Sequence, residues 1–232
     1  MGAPVLLLVA ILALALYVPI SRGRPRRLCN LQIDERVPFV PPFVIAYLAL
    51  FLYVPLTIWF LYSTSYGPPL LIALATVGVL YAVIGPRISC GAPRADAKGP
   101  GALRALVRLV YRLDGAYNNA VCPSTHVYLA LICGYYLASA FPTYALLVGA
   151  LTALIAISTV FVKQHNVMDI GAGALFAFIA ITFAGLLGPL VVYQTSTPAA
   201  TQALFGGVSL MIDYATTEPD RECRLCGRAN VS

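Results

Sequence analysis

The chain has two histidines, His126 and His165, and each stands at the polar edge of a long apolar stretch. Asp169 follows His165 by four residues, a spacing that places both side chains on one face of a helix. A carboxylate there can accept a hydrogen bond from one imidazole nitrogen and hold the other ready as a nucleophile. A neutral imidazole held in this way can attack phosphorus and form a phosphohistidine. The structural alternative is a His–Asp pair that only closes a helix end.

His126 ends the segment Cys-Pro-Ser-Thr-His, in which Pro123 is a residue that favours the first turn of a helix. Free backbone N–H groups and the positive end of the helix dipole attract an anion at that point, and Ser124 adds a hydroxyl donor. A histidine beside a bound phosphate can protonate a leaving alkoxide as a general acid. The structural alternatives are an interfacial anchor for His126 and a helix cap for Ser124.

The composition indicates a polytopic membrane protein, because 60% of the residues are hydrophobic and only 10% are charged. A chain of 232 residues has room for about six spans of ~20 residues each. We therefore expect an all-α bundle of about six transmembrane helices over residues 1–192, followed by a C-terminal tail over 193–232. The spans are predicted at roughly 3–20, 39–62, 70–89, 124–141, 143–162 and 167–192.

Lysine and arginine are confined to the 21–38 and 87–122 loops, Lys163 and the tail, whereas the 63–69 and 141–143 turns contain neither. The positive-inside rule then predicts that the two loops and the candidate site face the cytoplasm. A phosphate site also needs cations, so only the cluster at 21–36 bears on orientation independently.

Arg104, Arg108 and Arg112 recur every four residues beside apolar side chains. This pattern predicts either an interfacial helix on anionic headgroups or ordinary juxtamembrane charge.

The closest pair of cysteines, Cys223 and Cys226, lies in the tail. With no second pair nearby, a chance pair or a local disulfide is favoured over a metal site. We expect no metal and no other cofactor, and the expected partners are the lipid bilayer and a lipid substrate rather than nucleic acid.

Two motifs resemble those of a known superfamily. Pro123-Ser-Thr-His126 is similar to the Pro-Ser-Gly-His signature of the type-2 phosphatidic acid phosphatase and vanadium haloperoxidase superfamily. Ser158-Thr159 followed by His165 and Asp169 resembles its Ser-Arg-x5-His-x3-Asp signature, with the spacing complete.

Within that superfamily, residues 111–118 and 163–165 resemble the branch that includes inositol-phosphorylceramide synthases. The resemblance covers about 111–176, and elsewhere it extends only to the six-helix architecture.

The resemblance implies an integral-membrane, metal-independent phosphatase or phosphotransferase that acts on a lipid phosphate ester. His165 would be the nucleophile, Asp169 would orient it, and His126 would be the general acid. With water as acceptor the protein would be a phosphatase, and with an inositol-like polyol or another lipid alcohol it would be a transferase. Asp114 and Asn118 are candidates for binding an acceptor hydroxyl, although both are also common turn formers.

Phosphate would be held by Ser124, Thr125 and Lys163. The chain departs from the signatures at Thr125, where the family has Gly, and at Thr159, where it has a phosphate-binding Arg. Lys163 is expected to supply the lost charge. Arg87 and Arg94 are the candidates for a further phosphate ligand, and each is equally explained as a juxtamembrane cation.

Two other classes of function stay open at this stage. The loss of the arginine leaves a catalytically inactive lipid-binding scaffold as one alternative. A channel or transporter with a proton relay is the other, although the sequence shows none of the inverted symmetry typical of transporters.

Overall fold

The computed structural model describes residues 3–21, 31–88, 91–114 and 122–187, and over these ranges the chain is an all-α bundle, as predicted. The helices are α1 (Ala3–Ala15), α2 (Tyr17–Ser21), α3 (Gln32–Arg36), α4 (Phe43–Leu61), α5 (Gly67–Ile88), α6 (Ala102–Leu113), α7 (Thr125–Ala140), α8 (Ala145–Phe161) and α9 (Val167–Leu187). Asn118 and the tail with Cys223 and Cys226 lie outside the described residues.

Five segments in the described part of the chain are long and apolar enough to cross a membrane, so the protein is a multi-pass membrane protein. They are Ala3–Ile20, Phe43–Leu61, Gly67–Ile88, Pro142–Phe161 and Val167–Leu187. The remaining predicted span is α7, which has 16 residues and a length of ~24 Å. The second span begins later than the predicted residue 39, because Pro41 and Pro42 precede the helix and Pro42 is its N-cap.

The short α7 is the central helix of the bundle and packs against α4, α5, α8 and α9. Most of its side chains are buried, including Tyr128, Ile132 and Cys133. A glycine of α9 permits close packing here, because a Cβ on Gly173 would lie 2.8 Å from the Val127 Cβ. Small residues at such contacts let membrane helices approach each other closely.

Three connecting segments meet at one end of the bundle. The Tyr111 hydroxyl donates to the Val162 carbonyl oxygen at 2.7 Å, and the Lys163 ammonium donates to the Asp34 carbonyl oxygen at 2.6 Å. The described parts of the 21–38 and 87–122 segments thus lie at the same end of the bundle as Lys163, as the charge pattern predicted. That this side faces the cytoplasm stays a prediction.

The basic helix α6 is packed against the bundle. Its Val107 and Val110 are buried in an apolar cluster with Val44 and Tyr47 of α4. The Arg104 guanidinium donates to the Lys98 carbonyl oxygen at 2.6 Å, and that of Arg108 donates to the carbonyl oxygens of residues 97 and 99. Arg104 and Arg108 therefore hold the loop that precedes α6 in place, a role that neither sequence-based hypothesis anticipated.

Asp34 of α3 caps α9 from a distant part of the sequence. One carboxylate oxygen accepts the Val167 N–H at 2.7 Å and the other accepts the Leu31 N–H at 2.9 Å. Asp34 is 5% exposed, and Val167 is the first residue of α9. The carboxylate satisfies a backbone donor that the helix itself leaves unpaired. This contact secures the start of the helix that contains Asp169.

We predict that Asp34→Ala destabilises the fold by about 1–2 kcal/mol, because α9 loses its cap. The thermal unfolding midpoint of the purified protein in detergent should fall. Glu35→Ala is the matched control, since Glu35 is the neighbouring carboxylate and is exposed. Equal midpoints for the two variants would show that the cap contributes nothing.

A second prediction concerns two glycines of α9. Gly173→Ala should cost about 1–3 kcal/mol, because the new methyl group overlaps Val127 and overpacking is costly. Gly171→Ala, where a Cβ meets nothing within 4 Å, should keep or raise stability by up to about 1 kcal/mol. The unfolding midpoints of the two variants give the test, and a harmless Gly173→Ala would contradict the packing of α7 against α9.

Candidate active site

The turn between α8 and α9 has the hydrogen bonds of a Schellman motif. The Gln164 N–H donates to the Thr159 carbonyl oxygen at 3.0 Å, and the Lys163 N–H donates to that of Val160 at 3.1 Å. Lys163 has φ +54°, in the left-handed region that glycine usually occupies. A residue with a side chain costs roughly 1–2 kcal/mol in this conformation. The turn ends α8, and His165 lies in it, just before α9 begins at Val167.

His165 and Asp169 are in contact, but they are not on one helix as predicted. His165 lies in the turn before α9, which begins at Val167. Its Nδ1 is 3.7 Å from Oδ2 of Asp169, and the two side chains are 5% and 1% exposed. The same Oδ2 accepts the Asn166 N–H at 2.8 Å. The two side chains are therefore adjacent, at a distance too long for the predicted hydrogen bond, and they are brought together by the turn and by the first turn of α9.

His126 lies in the first turn of α7, as predicted, and is enclosed by aromatic rings. Tyr47 stacks on its imidazole at a centroid distance of 3.8 Å, and Phe51 contacts it edge-on at 5.8 Å. The side chain is 6% exposed. Its Nε2 is buried and has no hydrogen-bond partner among the residues that the structure describes. A buried polar atom of this kind is rare and needs an explanation, such as a missing ligand.

The two histidines face each other across a short gap. Their ring centroids are 6.2 Å apart, with 54° between the ring planes. The gap lies where two helices begin, and the Ser124 N–H donates to the Asp169 carbonyl oxygen at 3.5 Å. The N-termini of α7 and α9 thus meet beside the histidines. The positive ends of both helix dipoles favour an anion at this position.

Ser124 and Thr125 both have structural roles beside this gap. Ser124 is the N-cap of α7, and its hydroxyl oxygen accepts the Val127 N–H at 3.4 Å. The Thr125 hydroxyl accepts a hydrogen bond from the Tyr128 hydroxyl at 3.2 Å. The Ser124 hydroxyl keeps its own hydrogen available for donation to a ligand, whereas the Thr125 hydroxyl also hydrogen-bonds the Tyr17 side chain.

Arg94 lies beside His165, in a cavity of about 140 Å³ that Lys163 and Asn166 also line. One guanidinium nitrogen donates to the Tyr111 carbonyl oxygen at 2.6 Å, and the group lies over the Tyr111 ring. The other two nitrogens, Nε and Nη2, are buried without a hydrogen-bond partner in the described part of the chain. This is the edge of the guanidinium that binds an oxyanion through two parallel hydrogen bonds.

Burial lowers the pKa of Arg94, and the nearby Asp114 carboxylate opposes this effect. An anionic ligand at the unpartnered guanidinium edge would raise this pKa again and so offset the effect of burial.

The two arginine candidates are thereby distinguished. Arg87 is exposed at the end of α5 and donates to the Val83 carbonyl oxygen of its own helix. Thr159, at the position of the signature arginine, is fully buried and donates its hydroxyl to the Ala156 carbonyl oxygen at 2.7 Å. A threonine near the end of α8 thus stands where the signature has an arginine, and Arg94 comes from a different segment, the loop before α6.

A hydrogen bond from Gln164, the residue before His165, holds Asp114 close to the site. The Gln164 side chain donates from Nε2 to Oδ2 of Asp114 at 2.7 Å. Burial raises the pKa of Asp114, while His165, Arg94 and the Gln164 hydrogen bond act in the opposite direction. Asp114, a candidate for acceptor binding, therefore lies beside the catalytic candidates. Tyr111, next to Arg94, has a pKa raised by burial to about 12.

A second, larger cavity opens on the His126 side of the site. It has a volume of about 320 Å³ and is lined by residues of α1, α2, α4 and α7 together with Asp114. Its walls are mainly apolar and include Leu14, Leu50, Val54 and Leu129. The histidine pair thus lies between a small polar cavity and a large apolar one.

The arrangement brings two histidines, the Asp169 carboxylate and Arg94 to one end of the bundle. No cluster of three or more His, Cys, Asp or Glu side chains that could hold a metal ion occurs within residues 3–21, 31–88, 91–114 and 122–187. No family model matches the chain, and comparisons with curated proteins and with solved structures also give no match. A functional assignment therefore depends on the chemistry of these residues.

Proposed function

We propose that the protein transfers the phosphoryl group of a lipid phosphate ester through a phosphohistidine on His165. The observation that carries this proposal is the pair of buried histidines 6.2 Å apart, with Arg94 in the same small cavity as His165 and two of its guanidinium nitrogens unpartnered among the described residues. The resemblance of both histidine segments to phosphatase signatures supports the same chemistry.

In the first half-reaction, Asp169 faces Nδ1 of His165, so the other ring nitrogen, Nε2, is the nucleophile. Nε2 attacks phosphorus, the bond from phosphorus to the lipid oxygen breaks, and the alkoxide leaves. His126 in its protonated form gives its Nε2 proton to that oxygen as general acid. A bound phosphate beside His126 favours this protonated form.

The negative charge of the transferring group is balanced by three features of the site. Arg94 offers two parallel N–H donors to the phosphoryl oxygens. Lys163 lines the same cavity, and the positive dipole ends of α7 and α9 lie beside the histidines. Fixed charges and dipoles of this kind are usually the largest contribution to such catalysis.

In the second half-reaction an acceptor O–H attacks the phosphohistidine. The acceptor loses its proton to the neutral His126, the P–N bond breaks, and His165 is restored. Water as the acceptor releases inorganic phosphate, whereas a lipid alcohol or a polyol yields a new phosphate ester. The apolar cavity beside His126 favours the lipid alcohol as a second candidate acceptor.

Acid-quench labelling with a ³²P-labelled lipid phosphate, in detergent with EDTA, tests this proposal. We expect an acid-labile, base-stable label on the wild-type protein and none on His165→Ala, because the nucleophile is absent. His126→Ala should take up label only from a substrate with a good leaving group, such as p-nitrophenyl phosphate, which needs no acid.

Asp96→Asn is the control, since this exposed carboxylate pairs with Lys98 and is not among the residues that line the two cavities of the site. Labelling of His165→Ala at the wild-type rate would contradict the proposal. A wild-type protein without label or turnover across phosphatidate, prenyl phosphate and phosphoinositide panels would favour a lipid-binding scaffold.

A further inference from the structure

The apolar cavity on the His126 side contains one carboxylate that the phosphoryl chemistry above does not use. Asp114 lines this cavity with His126, and most of the other lining side chains are hydrocarbon. Phe51 and Pro55, also in the lining, are exposed on the outer surface of the bundle. The cavity is therefore open laterally, where the hydrocarbon of a bilayer would be.

A carboxylate in this position is unfavourable in an enzyme that binds a phosphate group. It repels the anionic phosphoryl group, and a carboxylate in an apolar cavity loses its hydration. Among the side-chain hydrogen bonds of the described residues, this carboxylate accepts one from Gln164, at Oδ2. An ionised carboxylate can only accept hydrogen bonds, so a favourable ligand must bring a donor.

The position of His126 determines which part of a ligand lies near Asp114. His126 lines the same cavity, and its unpartnered Nε2 is the atom that would protonate the leaving oxygen. The alcohol part of the lipid phosphate, rather than its phosphate, therefore enters this cavity. A donor that reaches Asp114 must be attached close to the ester oxygen.

We infer that the preferred substrate is a lipid phosphate with a hydroxyl or amide N–H beside its phosphate ester, and that Asp114 accepts a hydrogen bond from this donor. The hydrocarbon chain of the same lipid lies between the first membrane span and α4. This inference rests on the proposed function and makes Asp114 a residue that determines specificity.

A matched pair of substrates isolates the donor. Oleoyl lysophosphatidate has a free hydroxyl on the carbon next to the phosphate-bearing one, and its 2-O-methyl ether has the same chain and headgroup without that donor. Both are supplied with a ³²P-labelled phosphate to the full-length protein in detergent. The initial rate of His165 labelling is measured, because this step precedes the choice of water or alcohol as acceptor.

The wild-type protein should be labelled at least about tenfold faster by the hydroxyl lipid, because the methyl ether offers the Asp114 carboxylate no donor of its own. Asp114→Leu should bring the two rates within about twofold of each other. Gln164→Ala is the matched control, since it removes the hydrogen bond to Asp114 but keeps the carboxylate. It should preserve the preference even if the overall rate falls.

Wild-type rates within twofold of each other would overturn this inference and leave the proposed function intact. The same conclusion follows if Asp114→Leu lowers the labelling rates of both lipids equally and keeps the preference. That result is expected of a residue with a purely structural role. Should Asp114→Leu fail to fold, the wild-type comparison decides the question without it. The absence of His165 labelling by any lipid phosphate refutes the proposed function, and this inference falls with it.

Discussion

The turn that reverses the chain after α8 determines the position of the candidate nucleophile. Its amides bond back to the carbonyl oxygens of Thr159 and Val160, and Lys163 takes the left-handed conformation that allows this. His165 consequently lies at the start of α9 and within 3.7 Å of Asp169. The Lys163 side chain leaves the same turn toward Asp34, so a costly backbone conformation also positions a cation.

The site also depends on how charge is balanced in an apolar bundle. Asp34, Asp114 and Asp169 lie in or beside it, and each accepts a hydrogen bond from a backbone amide or a glutamine side chain. On the cationic side, the guanidinium of Arg94 has two nitrogens without a partner within the described ranges. The carboxylates thus accept hydrogen bonds from the protein itself, and the two Arg94 nitrogens are left for a ligand. This combination favours a ligand that is anionic.

The fold could be predicted from the sequence because each span is a long apolar run, and hydropathy is a local property. The observed helices match the predicted spans closely, with the start of the second shifted by Pro41 and Pro42. The contact of His165 with Asp169 was also predicted, but for a wrong geometric reason. A Schellman turn usually contains glycine, and Lys163 gives no such signal in the sequence.

Other parts of the site depend on contacts between distant residues and could not be predicted. Asp34 stands in an ordinary charged stretch, and only the structure shows that it caps α9. Arg94 and Arg87 are equivalent as juxtamembrane cations in the sequence, and the packing of α6 with its preceding loop brings Arg94 alone to His165. Tyr47, which stacks on His126, resembles any other aromatic residue of an apolar span.

The central claim is that the two histidines and Arg94 form a site for a transferring phosphoryl group. Vanadate tests it most directly, because it can adopt the trigonal-bipyramidal shape of the transition state and its affinity reports catalytic complementarity. The account predicts that Arg94→Lys weakens vanadate binding by about 10²-fold, since the lysine lacks the paired donors, while Arg87→Lys leaves it unchanged. Equal vanadate affinities for the wild-type protein and Arg94→Lys would contradict the account.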